Sequence, residues 1–218
     1  MANGLAQQLR TATRDAHRAS ERAGIMPDLL HGRLGRAVYC SLLRNLFEIY
    51  QALEAALVLR AALPCVAPVV FPKLFRTAAL AADLDVLYRE RWRAELDPQP
   101  TTLIYVGRLQ RIEKERPELL AAHAYVRYLG DLSGGQMLSK IVADSLGLGN
   151  GLGTRFYDFG PAQHVAEAAQ ALRAGLEAIP ADESQLAAIV AEALHAFDLH
   201  RALFAELADE DPDAIRVV

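Results

Sequence analysis

The chain has 218 residues, of which 52% are apolar and 23% are charged, and its formal net charge is -4. This length and composition predict one globular domain with a substantial core and an ordinary polar surface. The negative charge argues against nucleic acid as the main partner, because phosphate binding favours a basic domain. The two cysteines, Cys40 and Cys65, form no C-x-x-C pair and are expected to be reduced thiols in a cytoplasmic protein.

No signal peptide or transmembrane segment is expected. Residues 1–10 lack the apolar core of a secretory signal, and no uninterrupted apolar run is long enough to cross a bilayer. The sequence therefore predicts a soluble protein. We expect a single domain over residues 1–210, followed by a flexible acidic tail over residues 211–218.

The hydrophobic pattern along the chain is helical, and no alternation typical of β-strands is present. A first helix is expected between Asn3 as N-cap and Gly24 as stop signal. Pro117 suits the first position of a long helix that continues to residue 146. The other predicted helices span residues 37–62, 73–80, 83–91, 102–115, 161–178 and 182–207. We therefore predict a single compact all-α, multi-helix domain.

The first helix carries a polar face around His17. Arg10 and Arg14 precede His17 by seven and three residues, and Glu21 follows it by four, so the four side chains share one helical face. A carboxylate one turn away can fix a ligating imidazole, and the arginines could hold the acidic groups of an iron porphyrin. The spacing alone favours the alternative of a solvated stripe with ordinary ion pairs.

Three glycines, Gly130, Gly134 and Gly135, lie inside the long predicted helix. Each costs a helix roughly 1 kcal/mol relative to alanine, so the cluster indicates a specific requirement. Gly130 and Gly134 share a face that would admit a flat ligand or a closely packed helix, and the pattern alone favours helix packing. Asp131 beside that face must be hydrogen-bonded or catalytic, and Arg127 is its candidate structural partner.

Two segments together resemble the sequences of one family. Residues 128–136, YLGDLSGGQ, with AHAYVR before them, are similar to the signature of the heme oxygenases. Residues 9–17, LRTATRDAH, resemble the proximal helix of that family, and further similarity extends over residues 47–54 and 196–207. The resemblance covers nearly the whole chain in the family's order.

The resemblance implies a heme sandwiched between the first helix, as the proximal helix, and a kinked glycine-rich distal helix. It implies His17 as the proximal ligand of the heme iron and Glu21 as its hydrogen-bond partner. The residues expected near the heme propionates are Arg10, Arg14, Tyr125 and Arg173. With other members of the family as template, Gln170 takes the place of Arg173.

The resemblance also implies the distal side of the site. Gly130 and Gly134 are expected to approach the heme face and its oxygen ligand, while Asp131 organises water and protons there. The residues expected to support that water network are Tyr50 and Arg127. His200 stands where many members have an asparagine, so the distal water arrangement is expected to differ from theirs.

The implied activity is the oxidative cleavage of heme, which is both substrate and cofactor. Dioxygen is the co-substrate, and the products are biliverdin, carbon monoxide and ferrous iron. Electrons are expected from an external donor protein, either a ferredoxin or an NAD(P)H-dependent reductase. The enzyme is expected to be a cytoplasmic monomer.

Two other classes of protein remain as alternatives. A non-catalytic heme carrier or sensor needs the iron ligand but not the carboxylate and glycines of residues 128–136, so the intact signature counts against it. A non-heme di-iron enzyme needs several Glu-x-x-His pairs on facing helices. The chain has one such pair, Glu192 with His195, and one analogue, Asp28 with His31, and neither has obvious partners.

Overall fold

The computed structural model describes residues 4–89, 91–149 and 151–210, and all regular structure in these ranges is helical. The predicted all-α class is therefore confirmed. The α-helices are α1 (Leu5–Ser20), α2 (Met26–Leu30), α3 (Arg36–Leu59), α4 (Thr77–Tyr88), α5 (Trp92–Glu95), α6 (Pro100–Glu115), α7 (Leu120–Ala124), α8 (Gly130–Leu146), α9 (Ala162–Glu177) and α10 (Glu183–Ala208). The predicted N-cap Asn3 and the predicted tail over residues 211–218 lie outside the described residues.

The long helix expected from Pro117 is interrupted. Pro117–Leu119 is a 3₁₀ turn, α7 follows, and a π-helical turn over Tyr125–Leu129 leads directly into α8. A π-turn places an extra residue in the helical ladder and re-aims the side chains on either side of it, and such turns are frequent at functional sites. The interruption therefore falls immediately before the glycine segment.

The ends of two other helices also differ from the prediction. The first helix ends at Ser20 rather than at Gly24. Gly24 has φ 46°, and a Cβ there would lie 1.8 Å from the carbonyl oxygen of Phe204, so the glycine permits the close approach of α10. The helices predicted over residues 73–80 and 83–91 are a single helix, α4, and at its start the Glu54 carboxylate accepts hydrogen bonds from the N–H groups of Arg76 and Thr77.

Two long helices organise the core. Helix α10 packs against α1, α6 and α7, while α3 packs against α4 and α6. Helix α10 starts with a capping box, in which Asp182 accepts from the N–H of Gln185 and the side chain of Gln185 accepts from the N–H of Asp182. Within the described residues, no helix is long and apolar enough to cross a membrane.

The segment between α8 and α9 is anchored by Asp83 of α4, whose side chain is fully buried. The Asp83 carboxylate accepts hydrogen bonds from the N–H groups of Arg155, at 2.9 Å, and Phe156, at 2.7 Å. Burial nevertheless raises the pKa of Asp83 to about 6, because desolvation outweighs the two donors and Arg155. Asp83 therefore fixes the backbone that carries Phe156 and Tyr157.

The pKa of Asp83 leads to a prediction about stability and pH. The pKa of an aspartate in an unfolded chain is about 3.9, so the folded state binds the Asp83 proton more tightly than the unfolded state does. The stability that this bound proton contributes is therefore lost as the pH rises from about 4 through about 6. We expect the free energy of unfolding of the wild type, relative to Asp83→Asn, to fall by about 2–3 kcal/mol over that window. Urea denaturation at several pH values measures this difference.

Asp144→Asn is the matched control, because the Asp144 side chain is 70% exposed. The difference between this variant and the wild type should stay within about 0.5 kcal/mol at each pH. A difference between wild type and Asp83→Asn that does not change with pH would contradict the assignment to Asp83.

Candidate active site

A cavity of about 370 Å³ opens between α1, α8 and α10, and α2, α3 and the Asp83-anchored segment complete its walls. The sequence-predicted residues that line it are His17, Glu21, Arg127, Gly130, Asp131 and Gly134. Much of the remaining lining is apolar, including Met26, Leu42, Phe156 and Phe197. The structure therefore brings His17 and Glu21 of the first helix and the glycine segment to the lining of one largely apolar space.

His17 stands in the α1 wall with its side chain 53% exposed. The buried side of α1, which carries Leu9 and Thr13, is turned away toward the core. The Nδ1 atom of His17 lies 3.6 Å from Oε1 of Glu21, which is within ion-pair reach but too long for a hydrogen bond. The His17 ring meets the Phe197 ring edge to face at 6.1 Å. Because Nδ1 faces Glu21, Nε2 is the ring nitrogen left to bind a metal.

Gly130 and Gly134 form a part of the cavity wall without side chains. A Cβ built on either residue would meet no protein atom within 4 Å. The helix packing that the sequence pattern favoured is therefore wrong for these two glycines. Close packing is found instead at Gly135, where a Cβ would lie 3.2 Å from the carbonyl oxygen of Tyr157, although Tyr157 belongs to a 3₁₀ turn and not to an α-helix. The cavity thus exposes helix backbone on this side, which is a surface that a flat group can approach closely.

A buried polar network lies beside the two glycines. The Tyr50 hydroxyl donates a short hydrogen bond to the Asp131 carboxylate, and Nη2 of Arg127 donates to the same carboxylate at 3.3 Å. The Nε of Arg127 donates to the Tyr50 hydroxyl at 3.0 Å, and its Nη1 contacts Nε2 of His200. Residues from α3, the π-turn, α8 and α10 thus meet around one guanidinium.

Burial and neighbouring charges shift the pKa values of the residues in this network. Burial raises the pKa of Asp131, while Arg127 and the Tyr50 hydrogen bond act in the opposite direction. Burial likewise raises the pKa of Tyr50 well above its usual value, so Tyr50 is a neutral donor. Burial lowers the pKa of Arg127, but Tyr50 and Asp131 outweigh that effect and keep it cationic. The Asp131 carboxyl therefore accepts a proton more readily than an exposed aspartate does.

The other predicted site residues stand outside the cavity lining. Arg10 and Arg14 on α1 and Arg173 on α9 are exposed, as is the alternative Gln170. Tyr125 is half-buried, and its hydroxyl lies 3.1 Å from Oγ1 of Thr13, which itself donates to the Leu9 carbonyl. The hydroxyl of Tyr125 is therefore the donor of a hydrogen bond that ties the π-turn to α1.

The sequence analysis did not identify Phe156, Tyr157 and Phe197 as cavity residues. The sequence RFYDF at residues 155–159 was a usable signal for the first two, because aromatic side chains bury large apolar areas and so tend to pack on a core. Arg155–Tyr157 forms a 3₁₀ turn.

The pairs that suggested a di-iron centre do not converge. Glu192 is engaged by Arg108 and by His123, at 2.9 and 3.0 Å, while His195 is exposed. Asp28 pairs with Arg33. Among residues 4–89, 91–149 and 151–210, no group of three or more histidine, cysteine, aspartate or glutamate side chains is placed to hold a metal ion.

Comparisons with known proteins identify one family. The family model for heme oxygenase matches residues 3–206. The heme oxygenase of Porphyra purpurea is 37% identical over 207 residues, which are 95% of this chain and 88% of that protein. The crystal structure of heme oxygenase-2 from Synechocystis sp. PCC 6803 in complex with heme and NO is 40% identical, with a TM-score of 0.92 over 95% of this chain and 86% of that one. Heme oxygenase-1 from the same organism, solved with heme, is 34% identical, with a TM-score of 0.89 over 95% and 93% of the two chains.

The empty space at Gly134 yields a prediction about the protein without ligand. We expect Gly134→Ala to raise the free energy of unfolding by about 1 kcal/mol, because alanine favours a helix and its Cβ meets nothing. Gly135→Ala is the matched control, because its Cβ must displace the Tyr157 backbone and should give less gain or a loss. Chemical denaturation measures both, and a Gly134→Ala variant less stable than Gly135→Ala would contradict the interpretation.

Proposed function

This chain belongs to the heme oxygenase family, and we propose on that basis that it cleaves heme with dioxygen and external electrons to biliverdin, carbon monoxide and ferrous iron. The observation that carries the proposal is that one cavity is lined both by His17 and by Gly130 and Gly134, where no side chain fills the space beside the helix. Because no Cβ projects from these two glycines, a flat macrocycle can approach the helix backbone closely there. The residues present therefore fit heme.

The proximal wall supplies the iron ligand in this proposal. Bound heme provides the redox chemistry, and the protein provides ligation, orientation and hydrogen bonding. His17 would bind the iron through Nε2, because its Nδ1 faces Glu21. A closer approach of Glu21 on binding would let it accept the Nδ1 proton and hold the imidazole plane.

Basic side chains at the mouth would hold the heme propionates. Arg10 and Arg14 lie two turns and one turn before His17, and guanidinium groups suit carboxylates. The hydroxyl of Tyr125 donates to Thr13 in this structure, so it would have to turn from Thr13 to donate to a propionate. We assign the remaining propionate contact to Arg173 of α9. Arg173 lies one turn before Glu177, and the Glu177 carboxylate accepts a hydrogen bond from the N–H of Ala6 at the start of α1. Gln170, one turn earlier on the same face of α9, is the alternative.

The distal wall would control water and protons. The Asp131 carboxyl lines the cavity between Gly130 and Gly134, and Tyr50 and Arg127 fix its orientation. We assign to Asp131 the placing of a water molecule in the cavity and the delivery of a proton at its carboxyl oxygen. The two glycines would set how close the macrocycle lies to that water.

Electrons would come from an acidic donor protein, a ferredoxin or an NAD(P)H-dependent reductase. The surface that supports this assignment is an arginine ridge, defined as Arg10, Arg14, Arg18 and Arg22, which are all exposed although the whole chain has a net charge of -4. Such a ridge beside the cavity would steer an acidic partner toward it.

We also propose that one domain, residues 1–210, acts as a monomer in the cytoplasm. The family match over residues 3–206 supports the extent of the domain. One copy of the chain lines the cavity, so the site needs no second copy. The unpaired thiols of Cys40 and Cys65 support a reducing compartment.

The test of the function is the fate of bound heme. On addition of reductant and dioxygen to the heme complex, we expect the Soret band to bleach and a bilin to appear on chromatography. Asp131→Ala should retain heme but form bilin about 100-fold more slowly, because the proton donor is lost. A heme complex of the wild type that keeps its Soret band would indicate a carrier instead, and unchanged turnover by Asp131→Ala would remove the role given to Asp131.

His17→Ala is the companion variant for the proximal wall. It should abolish the spectrum of histidine-ligated heme, because its Nε2 is the assigned ligand. A retained imidazole spectrum would transfer the ligand role to His123, His195 or His200.

The donor surface has a separate prediction. Arg18→Glu with Arg22→Glu should raise the KM for a ferredoxin or a reductase about tenfold at low salt, since steering depends on the ridge charge. Turnover with a small chemical reductant should not change. Arg111→Glu with Lys114→Glu on α6, where both side chains are exposed, is the control of equal charge change. Equal effects of the two charge changes would contradict docking at the ridge.

A further inference from the structure

We infer that His200 is a positioning residue, a buried imidazole that acts only as a hydrogen-bond acceptor toward Arg127 and thereby orients the Asp131 carboxyl. The inference deepens the proposed function, and its effect on turnover rests on that function. His200 stands on α10 with 2% exposure and lines the cavity next to Arg127.

The partners of His200 fix which ring nitrogen carries the proton. Its Nδ1 lies 2.7 Å from the carbonyl oxygen of Ala196, and a carbonyl can only accept, so Nδ1 must be protonated. Its Nε2 faces Nη1 of Arg127, and a guanidinium can only donate, so Nε2 must present its lone pair. The proton on Nδ1 and the lone pair on Nε2 are therefore both determined by partner groups whose hydrogen-bonding roles cannot change.

The neutral state of His200 follows from the same surroundings. Burial lowers the pKa of His200 well below its usual value, and the adjacent Arg127 cation lowers it further. A proton on Nε2 would remove the acceptor and place two cations in contact. His200 thus differs from a carboxamide at this position, which would present a donor as well as an acceptor.

A second buried network holds the ring in place. The Tyr105 ring meets the His200 ring edge to face at 5.2 Å, and the Tyr105 hydroxyl lies 2.9 Å from Nδ1 of His123. The Nε2 of His123 lies 3.0 Å from Glu192, which also pairs with Arg108. The carboxylate accepts from His123, so His123 in turn accepts from Tyr105. This chain of contacts reaches from the half-buried Arg108 to the face of His200.

Loss of the acceptor at His200 would affect Arg127, because each of the three side-chain nitrogens of Arg127 has a hydrogen-bond partner in the network. Its Nε is bound to Tyr50, its Nη2 to Asp131 and its Nη1 to His200. Without an acceptor at His200, a buried charged donor would be unpaired, which is costly, and the guanidinium would turn toward another acceptor. The Asp131 carboxyl would then lose the geometry in which Arg127 holds it.

The first experiment reads the tautomer directly and needs no heme. ¹⁵N NMR of the histidine-labelled full chain, with the His200 signals assigned by their absence in His200→Gln, should show protonated Nδ1 and unprotonated Nε2 from about pH 6 to about pH 8. A proton on Nε2, or an imidazolium in that range, would overturn the inference.

The second experiment separates the acceptor from the volume of the ring. His200→Leu keeps an apolar bulk and removes the acceptor, and we expect kcat for heme cleavage to fall about tenfold, with heme affinity and the His17-ligated spectrum unchanged. His200→Gln places an amide oxygen near the position of Nε2 and should restore most of the activity. Wild-type kcat in His200→Leu, or equal impairment of both variants, would contradict the inference.

A double-mutant cycle tests the route through Arg127. In an Arg127→Met background, His200→Leu should cause little further loss, because the residue that it positions is gone. Fully additive losses would show that His200 acts independently of Arg127. If the wild type forms no bilin, the proposed function fails, while the NMR measurement still tests the tautomer and the acceptor role of His200.

Discussion

The cavity depends on α8, which must expose its backbone on one side and be packed firmly on the other. Gly130 and Gly134 contribute backbone alone to the wall, and glycine weakens a helix at the very place where the site needs precise geometry. The opposite side of α8 offsets this weakness. Gly135 lies against the Tyr157 backbone, and Asp83 fixes that segment through two buried N–H groups. The anchoring by Asp83 therefore belongs to the site, although Asp83 does not line the cavity.

Two histidines in this molecule have opposite properties because their surroundings differ. His17 is half-exposed, with a carboxylate near one nitrogen and the other free for a metal. His200 is buried, with a carbonyl on one nitrogen and a cation on the other. The first arrangement suits a ligand to iron, and the second suits a fixed acceptor. Neither role follows from the residue type, and each follows from the groups that the fold places beside it.

The all-α class and most helices could be predicted because apolar residues recur with helical spacing along the chain. The π-turn over Tyr125–Leu129 could not, since its residues continue a helical pattern and its partners, Thr13 and Tyr50, are distant in the sequence. In the site, the resemblance supplied the candidate residues, but spacing could not distinguish a glycine facing empty space from one packed against another segment of backbone. The ends of long side chains, such as those of Arg10 and Arg173, were beyond prediction for a similar reason, because the backbone pattern does not determine where an exposed guanidinium points.

The Asp83 anchor also bears on which parts of the chain tolerate change in length. Because Asp83 of α4 holds the backbone of Arg155 and Phe156, the aromatic wall has an anchor separate from the end of α8 at Leu146. Extra residues in a surface connection cost little entropy, and each doubling of its length adds only about 0.6 kcal/mol. We therefore expect an affinity tag or a fused domain to be tolerated at the exposed Gly149, while insertion at Leu148 would disturb a residue packed against the core.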